Sequence, residues 1–199
     1  MAPRHVRLML VLGAFLAGLV LCGAVILLAT GPLSTQNGPQ IAAVGGPFRL
    51  VNQDGQTVTD QDYKGRPFLV FFGFTHCPEV CPTTLFEVSE IIRNLGPDGD
   101  RVRAIFITID PERDTPTAMK EYLSSFDPRL SGLTGDLDAI AAVAKSYRAF
   151  YRKVPLDQGG YTMDHTAIVY LMDKQGRFVA PFSLKRTTEA SVAELRKHL

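Results

Sequence analysis

Two cysteines separated by three residues, in Cys77-Pro78-Glu79-Val80-Cys81-Pro82, carry the strongest chemical signal in the chain. They follow a continuous apolar run at 67–74 and precede a helical pattern, with Pro82 suited to a first helical turn. At such a junction the helix dipole and the free backbone N–H groups favour negative charge, so the expectation is a pair of activated thiols. A free thiol of pKa about 8.5 is only ~3% ionised at pH 7, and a lower value would make it a nucleophile or a metal ligand. Three intervening residues, rather than the two of ordinary disulfide oxidoreductases, give a wider bite that can still close into a disulfide. Two soft thiolates so placed suit Cu(I) or another soft metal.

A metal needs a further ligand, and the chain has four histidines. His5 and His198 lie at the termini. His76 adjoins Cys77 but points away from it if strand alternation persists, which suits a surface or loop role. His165, in Met163-Asp164-His165-Thr166, opens an apolar run at 165–172 expected to be a buried strand. Thioredoxin-like oxidoreductases place a cis-proline near there, facing their cysteines, and no proline stands there in this chain. A lone histidine is more often a satisfied core or surface residue, but one facing a two-cysteine loop is a candidate third ligand. Asp110, Arg113 and Asp114 follow the second apolar run. One carboxylate could orient His165 or a target, or all three could only stabilise the loop: Asp114-Thr115-Pro116 reads as a helix N-cap entry and Asp110-Pro111 as a strand exit. Asp164 needs do no more than shape the turn before His165.

The elements that must position these residues alternate in type. Residues 48–51 and 56–58, joined through Asn52-Gln53-Asp54-Gly55, read as a hairpin. Residues 67–74 and 102–109 read as strands buried on both faces, and 83–94, 115–126, 136–150 and 187–198 as helices. Residues 165–172 and 177–182 flank Asp173-Lys174-Gln175-Gly176 as a second hairpin. A β-α-β unit followed by helices and a terminal hairpin plus helix is the order of a thioredoxin-like α/β sandwich with an N-terminal β-hairpin extension. Both candidate loops, 75–81 and 110–115, then lie beyond the carboxyl ends of strands, where chemistry collects in open sheets.

Residues 8–29 contain no charge and, at 1.5 Å per residue, span about 33 Å as a helix, enough for a bilayer core. Arg4, His5 and Arg7 precede them and no Lys or Arg follows until Arg49, so the expected arrangement is an uncleaved single-pass anchor with a cytoplasmic N-terminus. With so short a leader the expected site is the bacterial inner membrane, with the following domain in the oxidising periplasm. Cys22 then reads as an apolar membrane residue. The expected division is 1–7 cytoplasmic, 8–29 anchor, 30–46 a Gly- and Pro-containing linker and 47–199 the folded domain. Lys and Arg number 21 against 20 Asp and Glu, and setting aside Arg4 and Arg7 leaves no basic excess, which disfavours nucleic acid as a partner. Three cysteines in all exclude a multi-bridge disulfide scaffold.

The segments Gly73-Phe74-Thr75-His76-Cys77-Pro78-Glu79-Val80-Cys81-Pro82-Thr83-Thr84, Ile109-Asp110-Pro111-Glu112-Arg113-Asp114-Thr115-Pro116, Asp164-His165-Thr166 and Tyr170-Leu171, in this order, resemble the Sco/SenC family over about residues 45–199. The resemblance implies a membrane-anchored, thioredoxin-like copper-binding protein that assembles the binuclear copper centre of cytochrome c oxidase. It implies Cys77 and Cys81 as thiolate ligands and His165 as the imidazole ligand of one Cu(I) or Cu(II) per chain. Its implied partner is the copper-centre subunit of the oxidase, with other periplasmic copper chaperones or thiol reductants as further candidates. Whether such a protein delivers copper, reduces its target's cysteines or does both stays open. Ligand chemistry agrees, since two thiolates and one imidazole suit Cu(I), whereas structural zinc would normally need a fourth protein ligand. The rival is an enzyme, a periplasmic thiol-disulfide oxidoreductase using Cys77 and Cys81. A peroxiredoxin-like peroxidase fits less well, because Phe74 stands where that family has Thr or Ser.

Overall fold

The computed structural model describes residues 3–29 and 44–199, which fall in two compact units, Met1–Ile41 and Ala42–Leu199. The first holds helix α1 (Arg4–Ala29). Among the described residues no helix is long and apolar enough to cross a membrane. That overturns the single-pass anchor expected at 8–29 and the inner-membrane and periplasmic placement drawn from it. The linker expected at 30–46 lies outside the described residues except for 44–46.

The second unit is built on a mixed sheet. Its strands are β1 (Arg49–Asn52), β2 (Thr57–Thr59), β3 (Phe68–Gly73), β4 (Arg103–Thr108), β5 (Leu130–Thr134), β8 (Val169–Met172) and β9 (Phe178–Pro181), in the order β2-β1-β5-β4-β3-β8-β9. β3, β4 and β5 run parallel, and β8 returns antiparallel beside β3. Every residue of β3 is buried, as the apolar run requires of a strand covered on both faces. The first hairpin is present as expected: Asn52 Oδ1 accepts from the N–H groups of Asp54 and Gln56, and Gly55 supplies the positive φ of 79° that the turn needs.

Four further helices cover the sheet: α2 (Val80–Asn94), α3 (Pro116–Leu123), α4 (Leu137–Ser146) and α5 (Thr188–Arg196). α2 buries Leu85, Val88, Ile91 and Ile92 and packs beside α5, the spacing of one helical face. Fully burying each such side chain contributes about 1.5–3 kcal/mol, so this face alone fixes α2 firmly against the core. Thr115 caps α3 by accepting from the Ala118 N–H, with Pro116 in the first turn, so the N-cap reading of that segment is correct in detail.

Three strands have no counterpart in the sequence expectation. β5 reads Leu-Ser-Gly-Leu-Thr and lacks an apolar run; Gly132 stands there because a Cβ would lie 2.6 Å from Leu123 Cδ1 and 2.8 Å from Met119 Cε, so α3 can press directly on the strand. β6 (Tyr151–Pro155) and β7 (Tyr161–His165) form a separate two-stranded antiparallel sheet. Arg152, Lys153 and Asp164 obscure their alternation. His165 therefore ends β7 rather than opening the buried strand, which starts later as β8. Helix α2 likewise begins before residue 83, which brings Cys81 inside it.

Candidate metal centre

Cys77, Cys81 and His165 meet at the carboxyl end of β3. The chain leaves β3 and turns, with the Cys77 N–H donating to the Phe74 carbonyl at 3.2 Å. The Cys81 N–H, in the first turn of α2, then points at Cys77 Sγ at 3.4 Å. Cys81 Sγ lies 3.7 Å from His165 Nε2, and the donor atoms of the three residues lie within 4.8 Å of one another. Three soft or borderline donors at this separation can converge on one ion of the size of copper.

The disulfide that this spacing permits is not formed, and both thiols are free. Burial works against the expected activation at Cys81. Cys81 is fully buried, and desolvation pushes its thiol pKa well above the usual value. The end of the helix serves the sulfur of Cys77, which receives the amide, while Cys81 is enclosed one turn further in. Room for Cys81 comes from Gly73, where a Cβ would lie 2.7 Å from Cys81 Sγ and 2.7 Å from Phe106 Cε2. Gly73→Ala is expected to cost about 1–3 kcal/mol through overpacking, read as a shift of the urea midpoint, and to displace the buried thiol.

Burial pushes the His165 imidazole pKa down, which leaves it neutral near pH 7. Its Nδ1 lies 3.2 Å from the Thr166 carbonyl oxygen. A carbonyl only accepts, so Nδ1 carries the proton and the Nε2 lone pair faces Cys81, the tautomer a metal ligand needs. Phe71 and Phe74 stand T-shaped to the imidazole, with ring centroids 6.1 Å and 5.9 Å away, and hold its plane. An open cleft of about 300 Å³, lined among others by Cys77, Pro78, Val80 and His165, gives access from one side.

The other candidates lie around this centre. His76 is exposed and turns its Nδ1 to Thr75 Oγ1 at 3.0 Å, with Asp114 Oδ1 at 3.9 Å, away from the donor cluster. Asp114 is fully buried and accepts from the Thr75 N–H, Thr75 Oγ1 and Thr108 Oγ1. Asp110 pairs with Arg113 and accepts from the Tyr161 hydroxyl at 2.9 Å. The imidazole's Nδ1 partner is the Thr166 carbonyl, so these carboxylates hold the loop rather than the ring. Asp164 pairs with Arg152 across the hairpin. Cys22 stands exposed on α1. Sequence reasoning missed Tyr122, whose buried hydroxyl has no partner among the described residues, and Tyr161, which sits in a short charged strand with no periodic signal.

A family model described as SCO1/SenC matches residues 36–199. The chain belongs to the SCO1/SenC family. Among SCO1/SenC relatives, the mitochondrial SCO1 homolog 1 of Arabidopsis thaliana is 37% identical over 173 residues, covering 83% of this chain and 52% of that protein. The chain thus spans about half the length of that curated relative. The structure of Bradyrhizobium japonicum ScoI with copper bound is 61% identical, with a TM-score of 0.77 over 79% of this chain and all of that one. The copper-bound yeast Sco1 structure is 34% identical, with a TM-score of 0.72 over 78% of this chain and 88% of that one. The thioredoxin-like α/β architecture expected from the order of elements is the Sco fold.

Proposed function

We propose that this SCO1/SenC protein binds one copper ion through Cys77 Sγ, Cys81 Sγ and His165 Nε2 and acts in assembling the binuclear copper centre of cytochrome c oxidase. The observation that carries the reading is the convergence of two free thiols and one neutral, correctly tautomerised imidazole at the end of β3. Copper bound to similar Sco proteins supports it. A three-ligand site beside an open cleft leaves a coordination position that an incoming thiolate of the oxidase's copper-centre subunit can take, so copper can pass by ligand exchange.

Anaerobic titration of the reduced protein against a chromophoric Cu(I) competitor tests this. One tightly bound Cu(I) per chain, weakened in His165→Ala, is the expected result; binding indifferent to that substitution removes His165 from the ligand set. Affinity should also rise with pH. Cys81 has its pKa raised by burial and must lose a proton to bind, whereas His165 is already neutral above its lowered pKa. The sign is therefore one of proton release, with a gain of about tenfold per pH unit for each proton displaced between pH 6 and 8. A flat profile would contradict the buried-thiol ligand.

The second reading, thiol reduction, rests on the two free thiols. Cys77 would attack a target disulfide and Cys81 would resolve the mixed disulfide. The target then gains two thiols as this chain closes Cys77–Cys81. Stoichiometric reduction of a target without tight Cu(I) binding would favour it.

A further inference from the structure

We infer that the loop 110–114 is a clamp that sets the distance between the cysteine half and the histidine half of the metal centre, with Arg113 and Tyr161 as positioning residues for His165. The reading rests on the copper site proposed above and extends it to residues that touch neither the ion nor its ligands directly.

His165 lies on a hairpin with no strand pairing to the main sheet. Tyr161, Met163 and His165 alternate onto one face of β7, so whatever fixes Tyr161 also fixes the facing of His165. At the His165 end the hairpin is tied by Thr166 N–H to the Phe150 carbonyl and by Phe150 N–H to Thr166 Oγ1, both bonds within the same excursion of the chain. Besides the ring contacts of His165 with Phe71 and Phe74 and the burial of Met163, its polar ties to loop 110–114 are at the other end. Arg113 Nη1 donates to the Tyr161 carbonyl at 3.1 Å, and the guanidinium carbon lies 3.9 Å from the Tyr161 ring centroid. The Tyr161 hydroxyl donates to Asp110, which is 1% exposed and also holds Arg113. Lys153 on β6 pairs with Glu112 and lies 4.4 Å from the same ring centroid.

The same loop grips the other half. Asp114 takes both the N–H and the hydroxyl of Thr75, two residues before Cys77. Arg113 also lies 5.8 Å from the ring centroid of Phe74, a ring that stands T-shaped to His165. One loop of five residues therefore binds the cysteine segment through Asp114 and the histidine hairpin through Asp110 and Arg113. A partner that orients a ligand without touching the metal typically contributes 10–100-fold to affinity.

The test uses the full chain with Arg113→Ala and the milder Tyr161→Phe, each alone and combined with His165→Ala. Two readouts are taken, Cu(I) affinity and metal-free amide hydrogen exchange. Arg113→Ala should lower Cu(I) affinity about 10–100-fold, and Tyr161→Phe less. Neither should lower it further once His165 is alanine, because the clamp acts only through the imidazole. Without metal, amides of 151–165 should exchange faster in both variants while those of β3 and β4 stay protected. Unchanged exchange over 151–165 overturns the clamp whether or not the protein binds copper. Equal affinity losses with and without His165 overturn the positioning role and leave a general effect on the fold. If exchange rises as expected but wild type binds no Cu(I), the copper reading fails and the mechanical clamp stands.

Discussion

Cys81→Ser is expected to lower Cu(I) affinity at least about a hundredfold, since loss of a ligand must exceed the 10–100-fold cost of losing a group that merely orients one. The case rests on where Cys81 sits. Its sulfur is buried, 3.7 Å from His165 Nε2 and beneath the rim on which Cys77 stands, so no solvent ligand can replace it without opening the core. Serine offers a hard oxygen with a far higher pKa, poorly matched to Cu(I). It also places a hydroxyl where a thiol behaves as a small hydrophobe, so Cys81→Ala is the companion variant that separates ligand loss from the burial of a polar group. Competitor titration of both, with urea unfolding in parallel, reads the two effects apart. Wild-type affinity in either variant would remove Cys81 from the site.

Asp114→Ala is expected to cost about 3 kcal/mol or more, because each buried donor left without an acceptor costs about 1–3 kcal/mol. The carboxylate is fully enclosed and accepts the Thr75 N–H at 3.0 Å, the Thr75 hydroxyl at 2.6 Å and the Thr108 hydroxyl at 2.6 Å. Alanine removes the acceptor that all three share, leaving the Thr75 N–H and the buried Thr108 hydroxyl without it while the Thr75 hydroxyl keeps His76 Nδ1 at 3.0 Å, and it opens a void beside the turn that carries the cysteines. Asp114→Asn retains one acceptor oxygen and should recover part of the loss. Urea unfolding measures both, and a change within about 0.5 kcal/mol, the range of an ordinary surface substitution, would contradict the bonded network.

Much of the arrangement was legible because chemistry and pattern coincide at one place. The cysteine motif follows an eight-residue apolar run, and that run became β3 with Cys77 and Cys81 at its exit. The helices showed their apolar faces at the right spacing, and the Asp54-Gly55 turn announced the first hairpin. What escaped had no period to read. β6 and β7 are short and charged, β5 is thinned by Ser131 and Gly132, and so His165 was assigned to the wrong element although to the right neighbourhood. The state of Cys81 was also misjudged. A helix N-terminus is visible in sequence, whereas the enclosure that outweighs it depends on Phe106 and Gly73 meeting the sulfur in space. The apolar segment at 8–29 reads as a bilayer span from its sequence, yet among the described residues no helix is long and apolar enough to cross a membrane.

The sheet order bears on how the centre comes into being as the chain is made. β3 pairs with β4 nearby in sequence, but its other neighbour is β8, and His165 follows Cys81 by 84 residues. Contacts so distant in sequence close late in folding, after the entropy of a long loop has been lost. The nascent chain therefore carries its two thiols well before it carries a complete site. During that interval they are an open dithiol, exposed to oxidation, until the last third of the chain docks and closes the geometry.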